Sequence, residues 1–205
     1  MAGITQEKIL YLNVTKGRMI HKTKEKGITH DFNGYEGHFL GIRERISDYE
    51  GKPQTKVELK MKDTGSDEIV IIQFTKKAWA AHGLLASIGK VDLSKPFTVK
   101  VWGSDENEKM SFCGLQQQGY KYIENRKCID PDKSFPKPIA VTISGEKTWD
   151  WTAVFTATDA VIKSITEKTQ ALAPAVETTE IEEEAETWAN PDVSPMPNTT
   201  DDLPF

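Results

Sequence analysis

Residues 35–47 read Tyr-Glu-Gly-His-Phe-Leu-Gly-Ile-Arg-Glu-Arg-Ile-Ser. Their alternation is that of a β-strand, with His38, Leu40, Ile42 and Ile46 on one face and Phe39, Gly41, Arg43 and Arg45 on the other. Glycines 37 and 41 inside a strand predict strong coiling or a bulge. A small closed barrel needs such a bent first strand. After a turn at Glu50-Gly51-Lys52-Pro53, residues 54–62 alternate again, with Val57, Leu59 and Met61 opposed to Lys56, Glu58, Lys60 and Lys62. Three lysines therefore leave one face of a single strand. A turn at Asp63-Thr64-Gly65-Ser66 leads into the apolar run Ile69 to Phe74.

The period then changes. Thr75 is placed to cap a helix running from Lys76 through Ile88 and ending at Gly89, with Gly83 an unfavourable residue in its middle. Two more strands follow, 96–102 and 109–117, joined by a polar turn; in the first, Trp102 lies with Thr98 and Lys100 opposite Phe97, Val99 and Val101. Upstream, residues 8–22 read as one strand interrupted at Gly17, followed by a basic loop with Lys22, Lys24 and Lys26. Strand, strand, strand, helix, strand, strand is the order of the five-stranded OB-fold barrel, a mainly β fold. The pattern spans about 35–122, with an added N-terminal strand. Downstream come a basic, Pro-rich loop over 125–138, a strand at Ile139, Val141 and Ile143, and a C-terminal helix over 152–173 that packs on the barrel or on another subunit. Trp149 and Trp151 read as core or interface residues.

Charge divides the chain at Ala173. Residues 174–205 hold nine acidic residues, five of the ten prolines and neither Lys nor Arg, a composition that predicts a disordered acidic tail. The net charge of -5 thus hides a body, residues 1–173, with 26 basic and 22 acidic residues, a net of +4. Such a layout suits a tail that competes with a phosphate backbone for one basic surface.

The tail ends in Asp201-Asp202-Leu203-Pro204-Phe205. It resembles the C-terminal hook of bacterial and phage single-stranded-DNA-binding proteins, which typically ends in Asp-Asp-Ile-Pro-Phe. The match covers five residues, with Leu203 in place of the usual Ile. The resemblance implies an OB-fold core that binds single-stranded DNA without sequence preference in replication, recombination and repair, and a tip, Asp201 to Phe205, that recruits replication or recombination proteins. A long segment before the barrel and about fifty residues between barrel and tail favour a phage-encoded relative over the cellular homotetramers; an oligomer stays open. Binding of this kind needs cations for phosphates and aromatic faces for bases. The candidates for stacking are Phe39, Trp102, Tyr120 and Tyr122, with Tyr11 a further one. Those for phosphates are Arg43, Arg45, Lys56, Lys60, Lys62, Lys100 and Lys121. Two alternatives stand beside this reading: an OB-fold adaptor that binds proteins through barrel and tail, and an accessory subunit of a replication enzyme.

Enzyme readings fail on spacing. Gly83 to Lys90 has five residues between its glycines where a phosphate loop has four, and Val91 stands where Ser or Thr would hold magnesium. The four histidines and Cys113 and Cys128 share no metal-ligand spacing, and no cofactor is implied. With no signal-peptide pattern and no membrane-length apolar run, the expected setting is a cytoplasm, that of the host bacterium for a phage protein, with both thiols reduced.

Overall fold

The long strand β4 (Gly34–Tyr49) is the hinge of the molecule. Its first residues, Gly34 to Gly37, pair with β7 (Phe97–Gly103), and from Gly37 onward it pairs with β5 (Lys52–Asp63). Gly37 thus takes part in both ladders, and a Cβ there would lie 2.6 Å from the Lys62 carbonyl oxygen, so only glycine permits the approach. A bulge at Leu40, between Phe39 and Gly41 in the register, adds a second bend.

A computed structural model describes residues 9–23, 27–49, 52–66, 68–105, 107, 109–120 and 127–172. Residues 1–173 form one compact unit; residues 174–205, and with them the expectations for the tail, lie outside the described residues. The remaining strands of the main sheet are β1 (Ile9–Thr15), β2 (Arg18–Thr23), β3 (Gly27–Phe32), β6 (Ile69–Thr75) and β8 (Ser111–Gln116). They assemble in the order β3-β2-β1-β6-β5-β4-β7-β8, antiparallel except for the parallel pair β1 and β6. The described residues are therefore mainly β, a strongly curled half-barrel sheet with two helices.

The curl brings distant strands together. Lys16 and Gly17 turn β1 into β2 with φ of 48° and 72°, and the Gly17 amide donates to Ser111 Oγ at 2.8 Å, at the start of β8. A Cβ on Gly17 would stand 2.1 Å from the Gly103 nitrogen. What reads as one interrupted strand over 8–22 is thus a hairpin, extended by β3.

Inside the curl lie Leu12, Val57, Leu59, Met61, Val70, Ile72, Phe74, Phe97, Val99, Val101 and Leu115, all buried. Helix α1 (Trp79–Ile88) adds Ala80, Ala81, Leu84, Leu85 and Ile88 and rests on β8. Gly83, unfavourable within a helix, has its reason here: a Cβ would be 2.2 Å from the Cys113 carbonyl oxygen, so the helix backbone meets the strand backbone. The helix starts later than Thr75 predicts, with Ala78 as its N-cap, because the Lys76 amide donates to the Thr55 carbonyl at 2.9 Å and prolongs the ladder of β6.

Beyond β8, Asp132 donates its amide to the Ala86 carbonyl of α1 at 2.6 Å and Phe135 meets His82 of the same helix edge-on, and a second, two-stranded sheet forms from β9 (Ile139–Ile143) and β10 (Glu146–Asp150). Helix α2 (Thr152–Leu172) follows and packs on the body of its own chain, with Val154, Thr158 and Ile165 buried. Lys76 fixes it, lying 2.6 Å from a Glu44 carboxylate oxygen on β4 and 2.8 Å from Asp159 on α2. Burial works against that ammonium charge, but the two carboxylates prevail and hold its pKa above the ordinary value. Cys113 and Cys128 are both buried, and burial pushes the Cys113 thiol up, which leaves it un-nucleophilic. Among the described residues no helix is long and apolar enough to cross a membrane.

Candidate nucleic-acid interface

The face of the sheet turned away from the core can be read from the register, because directly paired residues point to one side. Three adjacent rows cross β1, β6, β5 and β4. The first is Ile9, Ile69, Lys62, His38; the second Tyr11, Ile71, Lys60, Gly41; the third Asn13, Gln73, Glu58, Arg43. Lys56 pairs with Arg45 and continues the sequence. On β7 and β8 the same face carries Thr98 beside Gln116, Lys100 beside Gly114, and Trp102 beside Phe112.

Most of the expected cations share this face: Arg43, Arg45, Lys56, Lys60, Lys62 and Lys100. Their side chains are not equivalent. Glu58, only 1% exposed, sits among them; its carboxylate accepts from Arg43 Nε at 2.9 Å and Gln73 Nε2 at 2.7 Å and lies 3.7 Å from an Arg45 terminal nitrogen. Lys56 Nζ donates to Gln73 Oε1 at 3.1 Å and to Asn13 Oδ1 at 3.2 Å. Lys60 is exposed. Glu58 was legible as an outward residue of its strand, but its role as the hub required the neighbouring strands.

Of the expected stacking residues, Tyr11 is on the face and 37% exposed. Trp102 is half-buried and stacks on Phe112, with centroids 6.3 Å apart and planes 21° apart. Its Cη2 lies 3.1 Å from where Gly114 would carry a Cβ, so the glycine lets the indole lie across β8. Tyr120 is exposed in the turn after β8. Phe39 must be corrected: it is 9% exposed in the core, paired with Met61. The bulge at Leu40 is the reason, since one extra residue reverses the alternation, placing Phe39 inside while Gly41, Arg43 and Arg45 stay outside. Of the residues opposed to Phe39 in the strand's alternation, Leu40 and Ile46 are exposed and Ile42 is buried. Lys121, Tyr122 and the tip Asp201 to Phe205 lie outside the described residues.

Between the rows is a recess of about 270 Å³, lined by Ile9, Tyr11, Gly41, Ile42, Arg43, Glu58, Lys60 and Ile71. No sequence signal marks it, because it arises from a side chain missing at Gly41 opposite residues of three other strands. No known protein-family model matches this chain, and no curated protein or solved structure is significantly similar to it.

Proposed function

We propose that the protein binds single-stranded DNA along the outer face of its sheet, in replication, recombination or repair of phage DNA, and recruits partner proteins through the tip of its acidic tail. The observation that carries the reading is the shared face: Tyr11 and Trp102 stand on the side of the sheet that bears Arg43, Arg45, Lys56, Lys60, Lys62 and Lys100. Rings for bases and cations for phosphates on one face are what sequence-tolerant single-strand binding requires. The connectivity of β4, β5, β6, α1, β7 and β8, with a first strand bent between two partners and the spatial order β6-β5-β4-β7-β8, supports assigning an OB-fold core. The terminal Asp-Asp-Leu-Pro-Phe and the +4 body beside an acidic tail agree with it.

A test is the affinity of Tyr11→Ala and Lys60→Glu variants for oligo-dT by fluorescence anisotropy. Loss of one stacking ring weakens binding by about 1–3 kcal/mol, and the charge reversal lowers the salt dependence as well. Unchanged affinity in both variants would move the binding surface elsewhere.

One observation favours the adaptor reading. The β9–β10 hairpin exposes Ile139, Ile143 and Trp149 at 63%, 62% and 47%, an apolar surface suited to a protein. The adaptor has no affinity for oligo-dT.

A further inference from the structure

The recess bounded by β1, β6, β5 and β4 opens on the face that the single-strand reading assigns to DNA, and its role rests on that reading and refines it. In the row Tyr11, Ile71, Lys60, Gly41, neighbouring Cβ atoms of paired strands stand about 5 Å apart, and the fourth place holds no side chain. A Cβ added to Gly41 would meet nothing within 4 Å, so the space is open and no neighbour has filled it. Its volume of about 270 Å³ falls just short of the pockets that enclose drug-sized ligands, about 300–1,000 Å³.

We propose that this recess receives a single unstacked guanine from the bound strand, giving an otherwise sequence-neutral surface one base-selective subsite. Ile9, Tyr11 and Ile71 supply apolar wall and aromatic surface. Arg43 supplies the selectivity. Its Nε–H is held at 2.9 Å by Glu58, a carboxylate itself buried and fixed by Gln73, so the guanidinium is oriented before any ligand arrives. An arginine has five N–H donors, and only that at Nε is used in this bond. Lys60, paired directly with Gly41, adds a second cation at the same edge. Guanine presents two adjacent acceptors, N7 and O6, to such donors; adenine sets a donor beside its N7, unpaired thymine has no two adjacent acceptors because N3–H separates O4 from O2, and the adjacent pair of unpaired cytosine, N3 and O2, belongs to a smaller, single ring.

The experiment uses the full chain and three labelled strands of about twelve nucleotides: oligo-dT, oligo-dT with one central guanine, and the same with 7-deazaguanine, which lacks the N7 acceptor. Anisotropy titration gives the affinities. The expected result is binding to all three, with guanine tightening it about fivefold or more and 7-deazaguanine losing most of that gain. Gly41→Val, whose Cβ meets nothing within 4 Å, projects a side chain into the recess and abolishes the guanine preference while the melting temperature holds. Equal affinity for the three strands would overturn the guanine subsite and leave the single-strand reading standing. A preference that survives Gly41→Val would overturn its placement in the recess. Binding to none of them would overturn both.

Discussion

Glu58 is the residue on which the polar face turns. A carboxylate 1% exposed among lysines and arginines is tolerated because its oxygens accept from Arg43 and Gln73. Through Gln73 it also orders Lys56 and Asn13. Glu58→Ala removes the acceptor of Arg43 Nε–H and Gln73 Nε2–H, and the expected loss is about 1–3 kcal/mol, read from the midpoint of urea unfolding. An unchanged midpoint would show that Glu58 does not organise the face. His82 provides a pH dependence. Its ring meets Trp79 and Phe135 edge-on, with centroids at 5.7 and 5.1 Å, and Nε2–H donates to the Pro136 carbonyl at 3.0 Å. Burial lowers its pKa, the Pro136 carbonyl raises it, and the charge of Lys137 lowers it; the net shift is downward. The unfolded chain therefore takes up this proton first. The stability His82 contributes is complete above about pH 6.5 and declines as pH falls below it towards the folded value. Melting temperatures at pH 7.5 and 5.5 measure the decline, which is smaller in His82→Gln; an equal decline in that variant would refute the assignment.

Among the elements, α1 shows why a local rule can mislead. Gly→Ala inside a helix ordinarily stabilises by about 1 kcal/mol. At Gly83 the new Cβ would stand 2.2 Å from the Cys113 carbonyl oxygen, and the atom in the way is backbone. Overpacking of this kind costs about 1–3 kcal/mol, so Gly83→Ala is expected to lower the melting temperature, and a rise would mean that helix and strand separate easily. Legibility in the sequence follows the same line. The alternation of Val57, Leu59 and Met61 with Lys56, Glu58, Lys60 and Lys62 settles β5, because one face of that strand is buried and the other is not. The glycines of β4 announce a bend, but not that Leu40 would be the extra residue, which is why Phe39 reads as outward. The β1–β2 hairpin stayed hidden because it turns at Lys16-Gly17 rather than at the Asn-Gly or Asp-Gly pair that marks such turns. The recess at Gly41 depends on four strands at once, and no window of one sequence contains them.

For the whole molecule, charge and topology point the same way. Residues 1–173 form a compact unit with a net charge of +4, and residues 174–205 carry nine acidic groups without a basic one. If the tail competes with DNA for the outer face of the sheet, a chain ending at Ala173 binds more tightly than the full chain, and the difference shrinks as salt screens both interactions. The most direct measurement is an anisotropy titration of the full chain, and of the form ending at Ala173, with labelled oligo-dT and a duplex of equal length at low and moderate salt. The predicted result is a clear preference for the single strand, weakened by salt and strengthened by truncation. Failure of both forms to bind oligo-dT, or equal binding of single strand and duplex, would contradict the assignment of the curled sheet as a single-strand-binding surface.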